Sequence, residues 1–200
     1  GYPRGVPADY VRFRVWSVLQ SLCSVLSGLL SSRAVLAGAG VGNAAATATA
    51  ATLVFVVRDL AGMVCRILFV GAQSAALGRH AKSWRLVADA LNDLAVLVDM
   101  LSALWPQAFL LFAVLSAAIR APLTVAGSAT RAAFAQHFAG RAHNVADITA
   151  KDSSQDTAVG IVGLLLGALL LRALEAVAHP QARAAATWLA FAALALAHLA

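Results

Sequence analysis

The chain has 200 residues, of which 61% are hydrophobic and only 12% charged. Soluble domains carry roughly 45–50% apolar and about 25% charged residues, so this balance argues against an ordinary water-soluble domain and points to lipid as the surrounding medium. The formal net charge is +6, from 15 basic against 9 acidic residues, yet the basic residues sit singly between apolar runs. That spacing fits loop charges that set topology and meet anionic lipid, and it argues against nucleic-acid binding.

Residues 1–14 read as a polar lead-in, with Tyr10 and Trp16 beside Arg12 and Arg14 as interface markers. The chain opens GYPRG without an initiator Met and is expected to be a fragment or a processed form. Residues 15–36, VWSVLQSLCSVLSGLLSSRAVL, predict a first helix whose many serines give one side for packing against protein. Gly38, Gly40 and Gly42 follow, and Asn43 is a candidate N-cap for a helix over 44–57. Backbone N–H groups at such a helix start can cradle phosphate. No strand precedes these glycines, so tight turning and close packing are the expected duty.

Arg58–Asp59 closes that apolar run, and a third helix is predicted over 61–77. A basic connector, GRHAKSWR, leads to a helix over 83–104. At about 100° per residue, Lys82, Arg85, Asp89, Asn92 and Asp93 fall within one sector of roughly 100°, expected to face the water boundary. Asp99 lies off this face, deeper in apolar sequence, where it pairs with an arginine or lines a cavity. Trp105–Pro106 interrupts, and Pro106 opens a separate helix over 107–120.

Residues 121–156 are the most polar part of the interior and read as a loop or an interfacial helix. Ser153-x-x-Asp156 has capping-box spacing for a helix over about 154–178. Within that helix Gly163 and Gly167 form a close-approach face for another helix, and Arg172 and Glu175 are spaced to pair. Pro180 breaks the chain before a final apolar helix over 184–200. Cys23 and Cys65 are isolated and expected to be buried free thiols, with no metal centre. No segment alternates with period two. The expected fold is all-α, a polytopic membrane helical bundle of about seven or eight helices. One membrane domain covers 1–200, with its core at 15–178.

Four stretches in order, Gly40-VGNAAATATAATLVFVVRDLAG-Met63, Arg66-ILF-Phe69, Lys82-SWRLVADALNDLAVLVD-Asp99 and Ala150-KDSSQDTAVGIVGLLLG-Gly167, resemble the root UVB sensitive (RUS) family. The resemblance covers most of the chain from about residue 1 to 175. It implies a membrane protein found in plants and animals, connected in plants with UV-B responses, root growth and vitamin B6 homeostasis. No catalytic or transport activity is firmly attached to that family.

Asp59-xx-Gly62-xxx-Arg66 is similar in placement to the acidic–Gly–basic loop between the second and third spans of the major facilitator superfamily. Here Met63 replaces a basic residue and Phe55 a glycine, so a structural ion pair at a helix end is the simpler expectation. By the loop-charge rule the N-terminus and residues 58–66 lie on the positive side. His137, His143, Asn144, Asp147 and Lys151 offer acid–base groups, but no nucleophile motif accompanies them, so no enzyme is expected.

The ligand-binding or polar-cluster candidates are Arg58, Asp59, Arg66, Asp89, Asn92, Asp93, Lys151, Asp152 and Gln155. An isolated charge at mid-membrane costs at least ~2.5–3.5 kcal/mol, so these groups are expected to join in one cluster. The leading expectation is a small-solute carrier or membrane factor in vitamin B6 homeostasis. No cofactor is expected, and a vitamin B6 vitamer is the candidate ligand. The alternative is a non-transporting scaffold acting through protein partners. The expected partners are the lipid membrane, a RUS-family or other membrane protein and a small solute, with no nucleic acid. The organelle is unreadable, a plastid being the candidate in a photosynthetic organism.

Overall fold

The computed structural model describes residues 7–40, 48–77, 80–139 and 145–200. Among these residues the chain is helical throughout, with no strand. The helices are α1 (Tyr10–Gly38), α2 (Ala48–Leu77), α3 (Ala81–Ser102), α4 (Phe109–Ala139), α5 (Val145–Ala176) and α6 (Pro180–Leu199). A single 3-10 turn, Pro106–Ala108, separates α3 from α4, so the Trp105–Pro106 break divides two helices.

Among the described residues six α-helices stand where seven or eight were expected, and each difference has a local cause. The described part of the 44–57 segment, from Ala48, and the 61–77 segment are one helix, α2, running unbroken through Arg58, Asp59 and Gly62. Arginine is a good helix former, and a single Gly costs only about 1 kcal/mol, so neither the charges nor Gly62 end the helix. The 58–66 loop of the transporter comparison is therefore mid-helix. The predicted helix at 107–120 runs on as α4 to Ala139, with Pro122 inside it. Pro122 removes one backbone bond, to the carbonyl of Ala118, and the alanine-rich sequence beyond resumes the helical ladder.

The polar region ending at Asp156 is likewise helical in large part. Helix α5 starts at Val145 with Asp147 in its first turn, so Ser153 and Asp156 lie inside the helix instead of capping it. Helix α1 begins at Tyr10, absorbing the end of the lead-in, and Pro180 is the first residue of α6. Gly42, Asn43, Arg79, His143 and Asn144 lie outside the described residues.

Four stretches are long and apolar enough to cross a membrane: α1, Pro106–Ala139, α5 and α6, of 29, 34, 32 and 20 residues. The chain divides into two compact units, Ser27–Ser128 and a second made of Gly1–Leu26 with Ala129–Ala200.

In the Ser27–Ser128 unit, Val35, Phe109 and Ala113 form a core against which Val54 and Phe55 of α2 pack. Gly38 ends α1 against this core: a Cβ there would lie 2.6 Å from Cδ2 of Phe109. Gly40, two residues on, has φ 77°, a conformation open to glycine at no steric cost. In the other unit, Tyr10, Phe138, Ala139 and Ile148 make the core, with Phe13 and Phe134 against it. There α5 meets α1 closely, since a Cβ on buried Gly163 would lie 2.8 Å from Cγ1 of Val25. Gly167, one turn on, is also buried.

Candidate functional site

The charged residues of α2 are placed by helical spacing. Asp59, Gly62, Met63 and Arg66 follow i, i+3, i+4, i+7 and share one face. Ala117, Arg120, Ala121 and Thr124 repeat the same spacing on α4. These two sets, with Arg58, line one cavity of about 330 Å³. The two helices are in contact here, an ideal Cβ on Gly62 falling at an ordinary van der Waals distance of 3.6 Å from both the Cβ and the carbonyl oxygen of Ala117. A second cavity of about 230 Å³, with Ser31, Ser32 and Phe55 on its wall, also has Arg58 at its edge.

Behind the α2/α4 cavity lies a buried ion pair. Nη2 of Arg120 donates to Oδ2 of Asp99 at 2.6 Å, and the Ser31 hydroxyl donates to the same oxygen at 2.6 Å. The Asp99 side chain is 1% exposed and that of Arg120 28%, so the carboxylate is sealed while the guanidinium reaches the cavity. Nε of Arg120 is held by the Ser116 hydroxyl at 3.4 Å, and that hydroxyl reaches the Ala95 carbonyl. Ser102 returns a hydrogen bond to the Asp99 carbonyl at 2.6 Å. The pair thus joins α1, α3 and α4.

On the polar face of α3, expected to face water, Lys82 is exposed while the two carboxylates are not. Asp89 and Asp93 are buried, with Nε of Arg85 donating to Oδ2 of Asp89 at 3.1 Å and the Asn92 amide donating to Asp93. Burial of a carboxylate is tolerated only with partners. An arginine one turn earlier on the same helix supplies one for Asp89.

The remaining candidates belong to the other unit. Asp152 accepts from the Tyr10 hydroxyl at 2.5 Å and lies 3.7 Å from Nε of Arg14. Arg14 also donates to Gln155 at 2.6 Å and to Asp156 at 2.6 Å. Arg131 reaches Asp156 from α4 at 3.3 Å. Lys151 instead forms an exposed pair with Asp147 on its own helix at 2.8 Å. This network ties α1, α4 and α5 together, and its members are mostly engaged with one another.

Arg58, Asp59 and Arg66 are thus gathered at one cavity, Asp89, Asn92 and Asp93 along α3, and Asp152 and Gln155 around Arg14. Sequence reasoning passed over Arg120, and it read Arg14 only as an interface marker and Ser31 only as part of a packing side. Arg120 carried the same signal as Arg58: a lone charge in the apolar run FLLFAVLSAAIRAPL. Cys23 and Cys65 are free thiols, half-buried where full burial was expected. Among the described residues no three His, Cys, Asp or Glu side chains come together as a metal site needs.

Comparison with known proteins adds a family to this geometry. Residues 1–200 match the family model described as the vitamin B6 photo-protection and homoeostasis domain. The chain is 42% identical over 199 residues to "Protein root UVB sensitive 3" of Arabidopsis thaliana, covering 100% of this chain and 44% of that protein. It is 38% identical to "RUS family member 1" of Dictyostelium discoideum, covering 96% of this chain and 36% of that protein. A third relative, "Protein root UVB sensitive 2, chloroplastic" of Arabidopsis thaliana, is 30% identical over 84% of this chain and 38% of its own length. The chain therefore spans less than half the length of these curated relatives. No solved structure matches it. On this agreement along its whole length, the chain belongs to the root UVB sensitive family, whose domain is linked to vitamin B6 homeostasis and the UV-B response.

Proposed function

We propose that this chain is a multi-pass membrane domain that carries a small solute, with vitamin B6 vitamers as the candidate cargo, and that it performs no catalysis. One observation carries the reading: many large apolar side chains are exposed while three carboxylates are buried. Ile67, Leu111, Leu189 and Leu196 are 72%, 67%, 71% and 74% exposed, while Asp89, Asp93 and Asp99 are 6%, 7% and 1% exposed. A solvent of lipid tails removes the cost of the first set and explains the burial of the second. Polar residues that line a cavity between helices are the usual mark of a solute path, and Arg58, Asp59, Arg66 and Arg120 line one.

The test is uptake. The protein reconstituted in liposomes should accumulate labelled pyridoxine or its 5′-phosphate above protein-free vesicles. Absence of uptake for all vitamers, in vesicles where the protein is inserted, would sink the carrier reading. The second reading, a scaffold, draws on α2, whose Ile67 and Leu68 point outward beside a charged band and offer a face for another membrane protein. Under that reading, a helical partner would co-purify in detergent and uptake would be nil.

A further inference from the structure

We propose that the cavity between α2 and α4 is an anion site for the phosphate group of a phosphate monoester or diester, held by Arg58, Arg66 and Arg120. The proposal deepens the carrier reading and takes its physiological setting from it. Its chemistry stands on the cavity alone.

The cavity is lined by three guanidinium groups, one carboxylate and the Thr124 hydroxyl. Arg120 is already matched by Asp99 behind it, yet its Nη1 makes no hydrogen bond among the described residues. Arg58 and Arg66 make no ion pair or hydrogen bond among those residues, and Asp59 alone opposes them in the cavity. The excess charge is therefore positive. Guanidinium forks match phosphate oxygens two at a time, so two or three around one pocket select phosphate over a monovalent halide.

The floor favours the same occupant. Gly62, Ala117 and Ala121 place no bulk between the arginines, leaving about 330 Å³, room for a small phosphate ester. Position adds a driving force. Arg58 and Arg66 lie at the middle of the 30-residue α2, each roughly 15 Å from the nearer helix end. Two guanidinium groups held on one side of the helix gain from an anion that neutralises them together.

A soluble ester and a lipid head group present the same phosphate, and the experiment separates them. The protein in nanodiscs of neutral phosphatidylcholine is titrated with pyridoxine 5′-phosphate, which has no aldehyde to react with Lys82 or Lys151. Pyridoxine and inorganic phosphate are titrated in parallel. Parallel nanodiscs contain phosphatidylglycerol, whose retention is read by native mass spectrometry.

Phosphate-dependent binding, or phosphatidylglycerol retention, should weaken on the order of ten-fold for each of Arg58→Gln and Arg66→Gln. Arg172→Gln on α5 should have no effect. Arg58→Lys with Arg66→Lys, which keeps the charge, should recover part of the loss and controls for folding. Binding unchanged by both glutamine variants, or equal affinity for pyridoxine and its phosphate with no lipid retained, overturns the site. Uptake that persists in those variants removes the anion site and leaves the carrier. Arginine-dependent binding without uptake does the reverse.

Discussion

Removing Arg120 is the sharpest test of the buried pair. Arg120→Ala takes away the only basic partner, among the described residues, of a carboxylate that is 1% exposed, leaving Ser31 as the remaining donor seen at Oδ2. Oδ1 of Asp99 already has no hydrogen-bond partner among the described residues. Breaking a buried pair from one side costs about 3–5 kcal/mol, because a charge is left without compensation. Set against a total stability of roughly 5–15 kcal/mol, that loss is severe. At about 2–4 °C per kcal/mol for a chain of this size, the melting temperature should fall by roughly 6–20 °C. Asp99→Asn should cost less, about 1–3 kcal/mol, because the amide oxygen still accepts from Ser31 and the partly exposed Arg120 keeps its cavity edge. The double change Asp99→Asn with Arg120→Ala should be milder than the sum of these singles by about 0.5–3 kcal/mol. Tryptophan-fluorescence melts in detergent read all of these. If Arg120→Ala were no worse than Asp99→Asn, or the two effects simply added, the coupling inferred from the 2.6 Å contact would be refuted.

Three further expectations rest on separate observations. Gly163→Ala should destabilise by about 1–3 kcal/mol, since its Cβ would meet the stiff Val25 side chain at 2.8 and 3.0 Å. Gly160→Ala, three residues earlier with nothing within 4 Å, should instead stabilise by up to about 1 kcal/mol, and thermal melts of the two compare them directly. Tyr10→Phe should cost about 1.5–3 kcal/mol through its lost bond to Asp152, while its ring contact with Phe138 at 5.2 Å survives, read as a lower melting point. Asp59→Asn, at an exposed residue, should leave stability within about 0.5 kcal/mol yet lower vitamer uptake in liposomes.

The helical content and the Trp105–Pro106 break were legible because apolar runs and proline act locally. The helix count was not, because the signals used as terminators were weak ones. Arg58–Asp59 reads as the edge of a membrane segment only when every charge is assumed to seek water. Here helix α2 continues, and Arg58 and Asp59 turn to a cavity on its side. Ser153 and Asp156 fit the capping pattern, yet Asp156 is drawn to Arg14, 142 residues away in sequence. Such distant pairing is invisible to spacing arguments. The partner of Asp99 was foreseen as a residue type and not as a position, because several arginines satisfied the same rule.

The asymmetry between Asp99 and the α2 charges carries the functional argument furthest. Asp99 is buried and held by a short ion pair, and removing its partner is expected to damage the fold. Arg58, Asp59 and Arg66 line an open cavity and form no such pair among the described residues, although they sit at the centre of a helix whose outer face is Leu53, Val56, Leu60, Ile67 and Leu68. Packing alone is a poor reason for keeping them: Asp59 and Arg66 are exposed, and substitutions at such positions usually change stability by no more than about 0.5 kcal/mol. Charges that the fold does not need, facing a space that side chains do not fill, are best explained by what enters that space. Proteins commonly hold such costly groups where function requires them. Under the proposed carrier reading, the α2/α4 cavity, and not the more fully paired Arg14 network, is therefore the place to test for a solute.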